Sequence, residues 1–158
     1  MSSYLSISDL SNWFKQGCKP RDTWRIGTEH EKGGFCMDTL KPIPYEGERS
    51  IRNLLTMLAD EKWQPVEEHG KIIALKNGMA SITLEPGGQL ELSGAPHATI
   101  HQTCEETTAY HKILKSVTDE LRIGFLAMGF QPKWQRDEIP WMPKARYKIM
   151  RNYMPQVG

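Results

Sequence analysis

The chain has 158 residues, 39% of them hydrophobic and 25% charged, the profile of a globular protein of single-domain size. Twenty basic residues against 19 acidic ones leave a net charge of +1, which gives no electrostatic footprint for nucleic acid or an anionic membrane. No apolar run approaches the roughly 20 residues of a membrane span. The N-terminal "MSSYLSISDL" has neither a basic start nor an apolar signal core and is not rich in arginine, so the expectation is a cytoplasmic protein. Cys18, Cys36 and Cys104 are odd in number, widely spaced and free of any CxxC, so they read as reduced packing thiols rather than a zinc ribbon or disulfide framework.

In chain order, Ser8 is the predicted cap of a short helix in "DLSNWFKQG" that stops at Gly17. A strand is predicted over 24–32, followed by "DTLKPIPYEGE", a loop with two prolines. In "GERSIRNLLTMLADEKW" the residues Ile51, Leu54, Leu55 and Leu58 fall at helical spacing. "KIIALKNGMASITLE" alternates around Asn77-Gly78, a strong hairpin signal. A longer helix is predicted after Pro96, with Ile100, Cys104, Thr107, His111, Leu114 and Leu121 along one stripe and its end at Gly124. "FLAMGFQ" reads as a strand and "PKARYKIMRNYM" as a last helix, with Pro143 suited to its first turn. Strands and helices mix without steady alternation, and neighbouring hairpins imply an antiparallel sheet, so the predicted class is α+β.

Three constellations carry possible chemistry. In "SITLEPGGQLELSG" two alternating runs flank Pro86-Gly87-Gly88, which suits a three-residue hairpin loop. That register puts Thr83, Glu85, Gln89 and Glu91 on one face and Ile82, Leu84, Leu90 and Leu92 on the other. The apolar face is predicted core. The polar face is either solvated or a donor set for a hard cation, since it carries oxygen donors and no lysine or arginine of its own.

The second is "GTEHE". On a strand Glu29 and Glu31 share a face and His30 points to the other, where it packs or hydrogen-bonds. Close carboxylates repel unless a cation or solvent separates them. The third is "GFQPKWQRDEIPWMPKARYKIM", where Lys133, Arg136, Lys144 and Arg146 are interleaved with Trp134, Trp141 and Tyr147. A nucleic-acid surface is disfavoured by the neutral balance. A pocket for a small anionic substrate, and a loop of core tryptophans with solvated cations, both remain open.

"WRIGTEHEKGGF", "PYEGERSIRNLL", "ITLEPGGQLELSGAP" followed by "IHQTCEE", and "GFQPKWQRDEIPWMPKARYKIMRNYMP" stand in this order. Together they resemble the glutamate–cysteine ligases of the plant and proteobacterial type. The resemblance implies ATP-dependent joining of the glutamate γ-carboxylate to cysteine through a γ-glutamyl phosphate, the first step of glutathione biosynthesis. It implies a glutamine synthetase-like fold, a curved antiparallel sheet flanked by helices and incomplete in this chain. Mg²⁺ would be held by Glu29, Glu31 and Glu91, with Glu85 in the same motif. Gln89, Trp141, Met142, Arg146 and Tyr147 would contact the amino-acid substrates and Lys133 the ATP; no residue is singled out as catalytic. Residues 1–158 would be the N-terminal portion of one catalytic domain, inactive without the missing C-terminal part. The alternatives are a related carboxylate–amine ligase with another amine, or a non-catalytic remnant that binds a ligand or partner. One departure stands out: Gly33 occupies a position where the family motif carries an aromatic residue.

Overall fold

Local alternation and two glycine turns build the centre of the sheet. The computed structural model describes residues 4–157. Strands β1 (Glu29–Cys36), β2 (Gln64–Glu68), β3 (Lys71–Asn77), β4 (Ala80–Leu84), β5 (Leu90–Ser93) and β6 (Ile123–Leu126) form a six-stranded antiparallel sheet in the order β2-β3-β4-β5-β1-β6. Helices α1 (Ile7–Gln16), α2 (Ile51–Leu58), α3 (Ile100–Leu121) and α4 (Ala145–Val157) complete the α+β architecture. None of the described helices is long and apolar enough to cross a membrane.

The β4–β5 hairpin has the predicted register, with Thr83 opposite Glu91 and Leu84 opposite Leu90. Its loop closes when Glu85 N–H donates to the Gln89 carbonyl and Gly88 N–H to the Glu85 carbonyl, both at 2.9 Å. Gly88 takes φ +86°, a conformation glycine adopts without steric cost. In the β3–β4 hairpin Asn77 pairs with Ala80, so the two central residues are Gly78-Met79 rather than Asn77-Gly78. Gly78, at φ +58°, fills the first central position, where a II′ turn requires glycine.

The apolar face packs against α2 and α3. Ile82, Leu84, Leu90 and Leu92 are fully buried in one cluster with Ile51, Leu54, Leu55 and Leu58 of α2 and Tyr110, Leu114, Val117 and Leu121 of α3. Tyr45 ties the loop before α2 to this layer, its hydroxyl donating to the Ile72 carbonyl at 2.8 Å.

Several boundaries differ from the sequence expectation. The cap of α1 is Ser6, not Ser8, because Asp9 sits at the third helical position and bonds back to the Ser6 N–H, a reciprocal capping box. The first strand begins at Glu29 rather than Trp24, and only Ile26 of the preceding stretch bridges to another segment, at His97. The buried stripe of α3 runs through Thr103, Tyr110, Leu114, Val117, Thr118 and Leu121; Ile100, Cys104 and His111 are exposed. The helix ends at Leu121, with Arg122 as a left-handed cap at φ +51°, and Gly124 belongs to β6. That strand is Ile123–Leu126, not 125–131. The described cysteines are all free, with Cys18 and Cys104 exposed.

Strand β1 changes partner halfway. Glu29–Lys32 pair with β5, and Gly33–Cys36 with β6. In the second half Gly34 faces Phe125 and Phe35 faces Gly124, so each ring lies over the glycine opposite, an aromatic–glycine pairing that pins register. A Cβ on Gly34 would stand 2.8 Å from the Phe125 ring, and one on Gly124 would overlap the Phe35 ring. At Gly33 the nearest atom to such a Cβ is a carbonyl oxygen 4.0 Å away, so the glycine that departs from the motif fills no steric need. Gly124→Ala is expected to destabilise the chain by about 1–3 kcal/mol. Gly129→Ala, where the space is open, is expected to change stability by less than about 0.5 kcal/mol. Urea unfolding of the two variants measures the contrast.

Candidate functional site

The register of three strands brings the predicted carboxylates to one face. Glu31 lies directly opposite Glu91, and Glu91 opposite Thr83. One pleat along, Glu29 faces Ser93, and Ser93 faces Ser81. Directly opposed residues have Cβ atoms roughly 5 Å apart, so the two carboxylates of adjacent strands stand side by side. Hydroxyls orient one of them: Thr83 Oγ1 donates to Glu91 Oε2 at 3.3 Å and Ser93 Oγ to Glu91 Oε1 at 3.0 Å. Glu29 and Glu31 are exposed, while Glu85, Gln89 and Glu91 are half-buried.

Glu85 feels the crowding. Burial pushes its carboxyl pKa up, the neighbouring Glu91 charge and then that of Glu31 push the same way, and Lys144 and Arg146 oppose them. Among the described residues, no three His, Cys, Asp or Glu side chains converge closely enough to enclose a metal ion.

The reverse of β1 has a different character. His30 and Lys32 point toward α3, where the His30 ring meets the His111 ring edge-on at 5.6 Å and the Lys32 ammonium lies 5.4 Å over the Tyr110 ring. His30 therefore sits where period-two alternation places it, away from the carboxylates.

Residues 142–147 cross the tip of the β4–β5 hairpin as a strap. Met142 N–H donates to the Pro86 carbonyl at 3.0 Å. The Lys144 ammonium donates to the Leu84 carbonyl at 2.8 Å, and the Tyr147 hydroxyl donates to the same oxygen. The β3–β4 ladder ends at Thr83 opposite Ala74, so the Leu84 carbonyl has no partner on β3 and takes bonds from the strap. Arg146 Nη2 donates to the Tyr147 hydroxyl at 3.2 Å, and its guanidinium lies 5.0 Å over the Tyr147 ring. Ala145 N–H, at the start of α4, donates to Glu68 Oε2 at 3.0 Å, so a carboxylate satisfies an amide the helix itself leaves free.

Lys144, which the sequence places only among the basic residues of the third constellation, is brought to the acidic hairpin by the fold. It is 8% exposed, and burial lowers its pKa while Glu85, Glu91 and Glu68 act to raise it. The polar face lacks a cation of its own in the sequence pattern, and the strap supplies one from about sixty residues downstream, a juxtaposition without any local signal. Of the other expected substrate residues, Met142 is buried with its thioether against Gly88. Trp141 is 37% exposed, with the Arg151 guanidinium 4.9 Å over its ring. Trp141 and Arg151 stand between two clefts of about 260 Å³ and 520 Å³. The smaller cleft is lined also by His69, Lys144, Tyr147 and Lys148, and the larger by Arg136, Asp137 and Ile139. Neither is lined by Glu29, Glu31, Glu85 or Glu91. Lys133 lies in the loop after β6, exposed, its N–H donating to Gln131 Oε1 at 2.9 Å.

Comparison with known proteins bears on this arrangement. The model of the glutamate-cysteine ligase family 2 matches residues 25–158. Glutamate–cysteine ligase B, chloroplastic, of Oryza sativa subsp. japonica is 54% identical over 159 residues, which cover 100% of this chain and 32% of the rice protein. The chloroplastic glutamate–cysteine ligase of Brassica juncea is 55% identical over 98% of this chain and 30% of its own length. That of Arabidopsis thaliana is 54% identical over 98% of this chain and 29% of its own length. The chain thus spans about a third of the length of the curated relatives it matches. Their chloroplastic names overturn the cytoplasmic expectation. A compartment address is a processing signal rather than a property of a folded sheet, so the composition on which that expectation rested does not carry it.

A carboxyl with a raised folded-state pKa holds its proton more tightly in the folded chain than in the unfolded one. Its contribution therefore opposes folding once the pH rises above its ordinary value of 4.5. Glu85→Gln is expected to raise the Tm at pH 7, with the gap closing as the pH falls below 4.5. Thermal unfolding across pH 3.5–7.5 tests this; a variant with a lower Tm at every pH would contradict it.

Proposed function

We propose, since the chain belongs to the glutamate-cysteine ligase family 2, that its acidic sheet face is one wall of an ATP- and Mg²⁺-dependent ligase site. The reaction joins the γ-carboxylate of glutamate to the amine of cysteine through a γ-glutamyl phosphate. Within the same proposal, residues 1–158 are the N-terminal portion of one catalytic domain, and the six-stranded sheet is part of a curved, glutamine synthetase-like sheet completed by the rest of the protein.

The observation that carries this proposal is the Glu31–Glu91 pair, set directly opposite each other on a face that α2 and α3 leave uncovered. Two opposed carboxylates with a third, Glu85, already resisting ionisation form a site that gains from a divalent cation. The donor chemistry fits Mg²⁺, which takes carboxylate oxygens, keeps several waters and commonly uses only one or two protein carboxylates beside substrate phosphates. That habit is compatible with the lack of a closed three-ligand cage among the described residues. Glu31 and Glu91 would hold the ion, with Glu29 one pleat along and Glu85 at the hairpin end. When bound, Mg²⁺ supplies charge neutralisation and alignment for phosphoryl transfer.

The chain's own groups have separate tasks in this proposal. Thr83 and Ser93 fix the Glu91 carboxylate by hydrogen bonds before any ligand arrives. Arg146, held by Tyr147, presents a planar fork suited to a substrate carboxylate. Trp141 and Met142 wall the adjacent cleft, Gln89 offers an amide at the hairpin turn, and Lys133 is the candidate for an ATP phosphate.

In the full-length protein, Glu29→Ala and Glu91→Ala are each expected to reduce Mg²⁺-dependent formation of γ-glutamylcysteine by at least about 10²-fold, as loss of a charge-stabilising group does. Near-normal turnover in both variants would sink the metal assignment. Product analysis with a panel of amines in place of cysteine separates this activity from that of a related carboxylate–amine ligase.

A further inference from the structure

The start of β1 is exposed to an unusual combination of forces. Over Glu29–Lys32 it is paired with β5 alone, since its partnership with β6 begins only at Gly33. Across that single ladder Glu31 faces Glu91, and like charges directly opposite weaken a strand pair. A strand held on one side and repelled across it should fray, yet the ladder continues beyond β1 toward the N-terminus. Gly94 N–H donates to the Thr28 carbonyl at 2.7 Å, His97 N–H to the Ile26 carbonyl at 2.8 Å, and Ile26 N–H to the His97 carbonyl at 2.7 Å.

The corner that receives these bonds, Gly94–His97, is fastened to α3 by one side chain. Glu106 Oε1 accepts the Ala95 N–H at 3.0 Å. Its other oxygen lies 3.3 Å from His97 Nε2, and both of those atoms are shut off from solvent without a hydrogen bond. The backbone is shaped to the carboxylate: a Cβ on Gly94 would overlap Glu106 Oε2. A half-buried carboxylate with one oxygen shut off from solvent is retained only where its partners are fixed. None of the chemistry proposed above uses Glu106.

We propose that Glu106, backed by His97, is a positioning residue for the acidic face: it clamps the Gly94–His97 corner to α3 and thereby holds Glu29–Lys32 on β5 against the repulsion between Glu31 and Glu91. That the held strand serves a metal site rests on the function proposed above; the clamp itself does not.

Amide hydrogen exchange on the 158-residue chain tests the clamp. Glu106→Ala should speed exchange over residues 26–32 by about tenfold while β3 and β4 keep their protection, because local opening is read segment by segment. Glu106→Gln retains an acceptor for Ala95 N–H and should fall between; it also keeps the comparison open if the alanine variant does not fold. Added NaCl should restore part of the lost protection, because it screens the repulsion that the clamp opposes. Unchanged exchange over 26–32, acceleration spread evenly over the sheet, or indifference to salt each overturns the proposal. Mg²⁺ given alone at matched ionic strength separates the two levels. Protection beyond that of NaCl, abolished by Glu31→Gln, supports the metal site. Equal protection by the two salts counts against the metal site and, as a screening effect, still supports the clamp.

Discussion

Four apolar side chains under the β4–β5 hairpin govern where every charge above it lies. Ile82, Leu84, Leu90 and Leu92 are each fully buried, worth about 1.5–3 kcal/mol apiece relative to exposure. Slipping the register by one residue would bring Thr83 and Glu91 into the core and the leucines into water. The opposing cost of setting the exposed Glu31 beside Glu91 is smaller, about 1 kcal/mol or less on the scale of cross-strand pairs. Burial therefore wins, and the carboxylates are gathered as a consequence of packing on the other side of the sheet.

The hairpin also sets the place of the strap. Pairing of β4 with β3 stops at Thr83, so the next carbonyl, that of Leu84, is free to accept from both Lys144 and Tyr147. A buried carbonyl without a partner would cost about 1–3 kcal/mol, and the strap removes that cost while bringing Arg146 to the same end of the acidic face. Structure and electrostatics are joined at one backbone oxygen. Lys144, which donates to it, and Arg146, held by the Tyr147 hydroxyl, carry the charges that oppose the crowding at Glu85.

What the sequence discloses follows the range of each interaction. The hairpin from Ser81 to Ser93 was legible to the residue, because alternation and a glycine turn are local signals. So were Ile51, Leu54, Leu55 and Leu58, all buried as their spacing implies. Ser6 and Ser8 are both plausible caps, and only the Asp9 side chain, at the third position from Ser6, decides between them. In α3 the apolar pattern is weak at the N-terminal end: Ile100 is exposed and Thr103 is buried, so an apolar stripe traced through Ile100 and Cys104 misses the core. β1 starts late because Trp24 to Gly27 have only one isolated bridge. Lys144 was legible as a cation of the basic–aromatic stretch but not as a partner of the hairpin, and Glu106 was not legible at all, because their partners, Leu84 and the Gly94–His97 corner, are fixed by tertiary packing.

The resulting surface is polarised along the hairpin. Carboxylates dominate where β1 meets β5, and the cations of Lys144 and Arg146 stand at the hairpin tip. A site for a reaction between an amino acid and a nucleoside triphosphate has two demands that conflict at short range. It must attract a divalent cation, and it must also accept anionic phosphates and a substrate carboxylate. Separating the two signs along one rigid sheet meets both demands, because neither set of charges has to be rearranged when ligands arrive. The separation depends on β1 remaining on β5 against its own charge, and on the strap remaining on Leu84. The ordering of those two contacts in the ligand-free chain is what would spare the proposed reaction the cost of assembling its electrostatics at each turnover.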